Sequence, residues 1–414
     1  MKVFTFIKLY KMCRMVGGIM KYKKQIMLVS FIIFIIIGTF AFEGLKKTSK
    51  TNGVELSFSE LTQPNFLNQQ LAVLYASSTT DVLQKGKGNS KAIFINQKGE
   101  LHALKLSGLE SGSTYFNKKV LFIEDSKKVI MLGNSVENYD MPTEELRGIR
   151  TGYLSKTRQF YSLYNTGFSK KDDYITTIRY GGEEKIQSAH IPFFISTVGQ
   201  LSDRLIIVTQ DLITGEFALR QVQLKSKVLN KKLIDLHLEN AGELDAITPV
   251  VADNHNLYFV MTHYQSEKSE DLYLVIVNRS TKKVKTIPFI QYRSEDEVEN
   301  GLPFNFNNSA YIKNGHFFYV NGLGEVYDYQ VTSGDIKKIV QLSREEKGNS
   351  RLEQITFKNN KIYHIYSDED QQFFLETFDL FSRVKEKTIE IKHLKSILPM
   401  DDQNYYLSSL EILQ

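Results

Sequence analysis

"VADNHNLYFV" (Val251–Val260), "YIKNGHFFYV" (Tyr311–Val320) and "FKNNKIYHIY" (Phe357–Tyr366) follow one plan. Each places an Asn (Asn254, Asn314, Asn360) three residues ahead of a bulky apolar residue, inside a short run of β-forming residues. Asn reaches the turn geometries that most residues avoid, so the phrase reads as a tight turn opening a strand.

The phrase recurs along the chain. Asn117 leads to Val120, Thr157 to Phe160 and Asp203 to Ile206, and after the three quoted stretches Asp402 leads to Tyr405. The steps between leading residues are 40, 46, 51, 60, 46 and 42 residues, the length of one four-stranded propeller blade. Each unit continues as strand, polar turn, strand, as in "KAIFINQKGELHALKL", "DLYLVIVNRSTKKVKTIPF", "GEVYDYQVTSGDIKKIVQL" and "FFLETFDLFSRVKEKTIEI". Gly99, Ser280-Thr281, Ser333-Gly334 and the run Arg383–Lys387 mark the turns. A single such sheet cannot hide both faces, whereas a ring of them can. After Asp402 there is one strand, "NYYLSSLEIL", and near the start the hairpin Ala92–Leu106 lacks a full partner. Joining the two ends predicts an all-β, seven-bladed propeller closed by N- and C-terminal strands, with six or eight blades as the alternatives. In a competing arrangement "LAVLYASS" (Leu71–Ser78) completes the first unit and leaves the last one ragged.

"GELHALKLSG" and "GEVYDYQVTSGD" resemble the repeat of pyrroloquinoline-quinone-type (PQQ-like) propellers, a loose G-x-φ-Y-A-φ-D-x-x-T-G pattern, over two or three units. The resemblance implies the fold and the non-catalytic, membrane-anchored branch of that family. It implies no quinone enzyme: the family's docking Trp is missing, since the chain has no Trp, and one cysteine cannot form the vicinal pair near the cofactor.

The N-terminus speaks for location. Residues 1–25 hold seven of the 52 basic residues and no acid, so the net charge of +5 sits on this tail and the remainder is near neutral. Nucleic-acid binding needs a basic face on the folded body, so no nucleic-acid partner is expected. Residues 26–42, "IMLVSFIIFIIIGTFAF", carry no charge and as a helix would span about 26 Å, enough for the lipid bilayer's hydrocarbon core. Lys21, Lys23 and Lys24 before it place the N-terminus in the cytoplasm and the C-terminal domain outside, a single-pass cell-membrane protein. A cleaved signal peptide competes, with Thr39-Phe40-Ala41 as its site, but the apolar run exceeds the usual signal core and favours an uncleaved anchor. The single cysteine, Cys13, precedes the span, so the exported body forms no disulfide. That, with the Lys/Ile/Asn-rich composition, suggests a Gram-positive bacterium. The expected layout is a basic tail over 1–25, an anchor over 26–42, a polar tether over 43–65 and the propeller over 66–414. Gly17–Met20 reads as an encoded ribosome-binding stretch, making Met20 a second candidate start; a native peptide containing Met12–Arg14 would refute this.

No residue is nominated as catalytic, cofactor-binding or metal-binding. The histidines stand at unequal offsets from the leading turn residues: His255 at +1, His316 at +2, His364 at +4, His263 at +9. They therefore predict no metal ring, and His102, His190, His237 and His393 are scattered. Asp172-Asp173, Glu183-Glu184 and Asp401-Asp402 are adjacent and would point apart along a strand, which suits solvated turns better than acid/base pairs. "DNHN" (Asp253–Asn256) and "DDQN" (Asp401–Asn404) lack calcium-loop spacing. "NGLGE" (Asn321–Glu325) reads as a turn rather than a phosphate cradle, and no nucleophile elbow occurs. Ser266–Asp271 and Arg293–Asn300 are expected as acidic loops on one rim. These readings favour a non-enzymatic binding, scaffold or sensor module for a protein or cell-envelope ligand. The alternative is an envelope hydrolase or lyase acting on a glycan or small metabolite at the channel mouth.

Overall fold

The computed structural model describes residues 55–63, 65–170, 174–266, 268–294, 302–343, 350–398 and 404–414. The basic tail, the apolar segment 26–42, Asp172-Asp173 and Asp401-Asp402 lie outside the described residues, within which no helix is long and apolar enough to cross a membrane.

The described strands form seven antiparallel sheets, the blades of a propeller. Blade 2 runs, from the axis outward, through Thr114–Phe116, Leu121–Glu124, Lys128–Leu132 and Val136–Asp140. Blades 3 and 4 have inner strands Gly148–Leu154 and Phe194–Gln200 and outer strands Lys185–Ile191 and Leu229–Asp235. Blade 5 has a broken inner strand, Leu244–Ala246 then Val251–Ala252, and ends at Val284–Arg293. Blades 6 and 7 run from Ala310–Lys313 to Ile336–Gln341 and from Gln354–Lys358 to Lys385–Ile391.

Blade 1 is assembled from both ends of the chain. Its inner strand, Tyr405–Ile412, pairs with Gln70–Ser78, which is followed by Ser90–Asn96 and Leu101–Leu106. The closure is therefore one C-terminal strand against three N-terminal ones. "LAVLYASS" does belong to the first unit, and the last strand joins it, so the two arrangements weighed from the sequence merge into one sheet. Thr79 N–H to the Asn404 carbonyl (2.7 Å) and Leu413 N–H to the Leu71 carbonyl (2.9 Å) tie off the two ends of the seam.

Six of the seven recurring phrases mark the turn between inner and second strands, in blades 2–7. At Asn314-Gly315 both φ angles are positive (51° and 79°), as at Asn359-Asn360 (52° and 65°), the geometry two-residue hairpins require. Asn117 and Asp253 act through their side chains, each accepting two backbone N–H bonds from residues two and three ahead. The seventh phrase differs. Tyr405 opens an inner strand, because the ring is cut where blade 1 would have this turn. All four quoted second halves are hairpins between third and outer strands. Gly99 (φ 73°) lies where a Cβ would sit 1.8 Å from the Glu390 carbonyl oxygen, and its own carbonyl accepts from Lys392 N–H, holding blade 1 to blade 7.

Each gap between neighbouring blades is filled by an apolar cluster, seven in all among the described residues. Successive strand residues point to opposite faces, so one strand serves two gaps. Ala72, Leu74 and Ala76 face blade 7 while Val73 and Tyr75 face blade 2. Leu257, Phe259 and Met261 face blade 4 while Tyr258 and Val260 face blade 6. Fully burying one such Phe or Leu contributes about 1.5–3 kcal/mol. Gly199, on the inner strand of blade 4, bridges to Val250 of blade 5; a Cβ there would meet the Val250 carbonyl oxygen at 2.0 Å.

Glu55–Leu61, read from the sequence as part of the polar tether, is attached to the body. Leu56 N–H donates to the Ala103 carbonyl at 2.9 Å, and Leu61 is buried between blades 1 and 2. Ser266 pairs with Ser269 and Ser269 with Arg293, so both acidic stretches leave blade 5 at the same end, with residues 267 and 295–300 outside the described residues.

Candidate binding site

The inner strands all start at one face of the ring, and there they enclose a cavity of about 800 Å³. Every blade reaches it. Tyr406–Ser408 comes from blade 1, Ser111 from the approach to blade 2, and Arg147–Ile149 from blade 3. Phe194–Thr197, Asp245–Ile247, Leu302–Asn307 and Arg351 come from blades 4 to 7. This is the mouth of the central channel.

The segment Leu302–Asn308, between blades 5 and 6, is the floor. Asn305 Nδ2 donates to Gln354 Oε1 (2.9 Å) of blade 7 and to the Ser408 carbonyl (2.8 Å) of blade 1. Asn307 Nδ2 donates to the Ile149 carbonyl of blade 3, and Arg150 Nη1 donates back to the Asn307 carbonyl at 3.0 Å. Short polar side chains thus stitch one loop to three blades across the axis. Asn suits this because it carries donor and acceptor on one short stem: Asn305 Oδ1 also accepts from Asn307 N–H at 2.8 Å, fixing the bend.

Below the floor the channel is crossed by Arg150, Tyr115, Gln200 and Glu411 from four blades. Burial pushes the Tyr115 phenol up, with the nearby Glu411 charge adding to it. Burial likewise pushes the Glu411 carboxyl up to about 8, against the pull of Lys358. Tyr161 Oη donates to Gln200 Oε1 at 2.8 Å. The interior is polar but occupied by side chains, so the cavity opens to one face.

Aromatic rings surround the opening. Phe168 meets Tyr174 edge-on at 5.2 Å, and Tyr174 meets Phe194 at 5.3 Å, a chain of rings from rim to wall. The turns between second and third strands return to this face, carrying Phe168 (65% exposed), Leu212, Ile213 (96% exposed) and Tyr264; Phe306 stands in the mouth itself, 47% exposed. Five of the nine exposed large apolar residues among the described residues therefore share one face.

Behind the floor lies a buried ionic group. His364, with no exposed surface, places Nδ1 2.9 Å from Glu376 and Nε2 3.6 Å from Glu353, and its ring stacks between Phe304 of the floor and Tyr366. Burial opposes its charge, but the two carboxylates outweigh that and raise the imidazole pKa. Lys385 completes the group, 3.2 Å from Glu376.

A family model described as the YycP beta-propeller domain matches residues 65–413. The chain belongs to this family. It is 26% identical over 380 residues to "Uncharacterized protein YycP" of Bacillus subtilis, covering 91% of this chain and 95% of that protein. Among solved structures, it is similar to a hypothetical selenium-binding protein from Sulfolobus tokodaii (TM-score 0.48, 9% identity, 86% of this chain and 96% of that one). It is also similar to BamB from Moraxella catarrhalis (TM-score 0.37, 10% identity, 66% and 73%).

The structure scatters the residues weighed from the sequence. Glu183-Glu184 is an exposed turn, Asp253 closes its own turn, and Asn321 Oδ1 accepts from Leu323 and Glu325 N–H in "NGLGE". Among the described residues no group of three or more His, Cys, Asp or Glu is arranged to hold a metal. Sequence reasoning missed Arg147, Asp245, Arg351 and the floor. The one legible signal was "PFNFNNS" (Pro303–Ser309), a run of Asn and Phe outside any strand phrase.

Proposed function

We propose that this propeller is a non-enzymatic binding module, held outside the cell by the apolar segment 26–42, which takes a protein or cell-envelope ligand at the channel mouth. The observation that carries the reading is the cavity itself: about 800 Å³, open to one face, floored by Leu302–Asn308 and ringed by aromatic side chains on a rigid frame. Its lining holds one carboxylate, Asp245, and no histidine among the described residues, so it offers no acid/base pair to favour the hydrolase alternative. The likeness of the repeats to PQQ-type scaffolds supports the same reading.

A photocrosslinking amino acid placed at Phe306, in the mouth, and at Val384, on the opposite face, tests it in cells carrying the full chain. A discrete adduct is expected from position 306 and none from 384. Equal labelling of both positions would remove the mouth from consideration. Turnover of an envelope glycan by the purified full chain would replace binding with catalysis.

A further inference from the structure

We propose that the face opposite the mouth docks on an anionic lipid bilayer, so that the mouth opens away from the membrane. This goes beyond the binding role proposed above and rests on the same membrane tether.

Topology sorts the charges into two sets. The turns between inner and second strands, and those between third and outer strands, lie at the end of the ring away from the mouth. Backbone hydrogen bonds join the two kinds into one surface: Arg279 N–H donates to the His255 carbonyl (2.8 Å), Val331 N–H to Gly315 (2.9 Å) and Leu380 N–H to Asn360 (3.0 Å). These thirteen turns, from 97–100 in blade 1 to 380–384 in blade 7, all fall within the described residues and hold twelve bases against six acids. The two strand residues on either side of each turn add seven bases and three acids. By sequence, the segments that join strands at the mouth end hold twelve bases against 24 acids. The near-neutral total beyond residue 25 therefore conceals two faces of opposite sign. On the basic one, Lys118, Lys119, Lys156, Arg158, Lys225 and Lys227 are exposed, and none forms an ion pair among the described residues. Its acids are partly spent: Asp203 pairs with Arg204 (2.7 Å), Glu100 accepts from Asn96 Nδ2 (2.9 Å), and Asp253 closes its own turn.

The layout selects a surface as partner rather than a small anion. The bases come from several blades across the ring, and Leu229, Phe381 and Val384 stand exposed on the same turns and strand ends. Lys and Arg interspersed with exposed apolar side chains match an anionic bilayer, whose headgroups attract the charge and whose interface accepts the apolar tips. The chain also enters the blades at this end, where Gln70 pairs with Asn96 beside the turn 97–100. Residues 43–54, between the apolar segment and Glu55, are twelve residues long, at most about 40 Å of extended chain. They carry Lys46, Lys47 and Lys50 against Glu43, continuing the same sign.

The test places one fluorophore on either face of blade 4, at Ser226→Cys between Lys225 and Lys227 or at Ile213→Cys on the mouth side, in the full chain carrying Cys13→Ser. Each labelled chain is put into nanodiscs of phosphatidylcholine, with or without phosphatidylglycerol, that contain a quencher on the lipid headgroup. In the anionic discs the Ser226 label should be quenched at least about threefold more than the Ile213 label, and high salt should erase the difference. Neutral discs should not show it, nor should the chain with Lys118, Lys119, Lys225 and Lys227 all changed to Gln. Those four side chains are exposed, and the neutral-lipid comparison stands even if that variant misfolds. A chain that enters the discs but quenches equally at both labels, or equally in both lipids, would overturn the docking and keep the anchor. A chain that stays out of the discs, yet is quenched at Ser226 by added anionic vesicles, would keep the docking and remove the anchor. Neither insertion nor quenching would overturn both. A Ser226 label indifferent to lipid but shifted by long-chain polyphosphate would overturn the bilayer assignment in favour of a soluble polyanion.

Discussion

Between blades 4 and 5, Val208, Leu219, Phe259 and Met261 interleave with no solvent contact, and the same apolar plan recurs in every gap around the ring. A short distance inward, the channel is crossed by Arg150, Asn305, Asn307, Gln200 and Glu411, each from a different position and none repeated. The gaps are made by a rule applied seven times; the channel is made once. Apolar packing is non-directional and tolerates many side chains of similar volume, so a repeat can satisfy it everywhere. Hydrogen bonds across an axis need one donor facing one acceptor at about 3 Å, so symmetry cannot supply them. The comparison locates stability in the gaps and specificity in the middle.

The largest expected effect attacks the ring itself. Deleting residues 405–414 removes the inner strand of blade 1 and, with it, Tyr405, Leu407, Leu410 and Ile412 from the cluster shared with blade 7. The truncated chain should show no cooperative thermal transition, and adding the missing strand as a peptide should restore one in part. A normal transition without the strand would mean that the gaps do not depend on closure.

Next come single residues from the two regions. Phe259→Ala empties a fully buried position and should cost about 3–5 kcal/mol in denaturant unfolding. Asn305→Ala strips three hydrogen bonds from the channel floor and should cost about 1–3 kcal/mol. A reversed order would place the ring's stability in the channel rather than in the gaps.

The last effect is one of slope rather than size, and concerns a carboxyl buried among Ser113, Tyr164 and Arg179. Burial pushes the Glu124 carboxyl up to about 8, against the hydrogen bond from Ser113 N–H (2.8 Å) and the Arg179 charge. Its pKa is higher folded than unfolded. Between the ordinary carboxylate range and about pH 8, the folded protein keeps a proton that the unfolded chain releases, so this group lowers stability as pH rises. Glu124→Gln keeps the acceptor and removes the titration. The variant should lose less of its melting temperature than the parent between pH 5 and pH 8.5, and identical slopes would show that Glu124 is charged in the fold.

How much was legible follows the same division. Turn residues at steps of 40 to 60 announced six of the inner hairpins: Asn314 and Asn360 reach positive φ there, Asn117 accepts local N–H bonds, and Asp253 does so beside Asn254. The strand after Asp402 closes the ring as the sequence predicts, but Tyr405 opens an inner strand where the other phrases open second strands, since the pattern reports a turn before a strand and not which strand follows. Glu55–Leu61 looked like a tether because only Leu56, Phe58 and Leu61 are large apolar residues there; the exposed edge of blade 1 gives Leu56 its partner. His364 carried no periodic signal, since its partners Glu353 and Glu376 come from the approach to the blade and from an adjacent strand.

The sequence by itself determined the four-stranded unit, because alternation and turn chemistry are local properties of the chain, and it favoured seven units with joined ends over six or eight; the closed ring settled that count. Only the tertiary structure decided that Arg147 and Arg351, 204 positions apart, line one bowl, and that Asn305 and Asn307 floor it. Those neighbours are set by the closure of a ring, and no spacing along the chain encodes which residues meet across its centre.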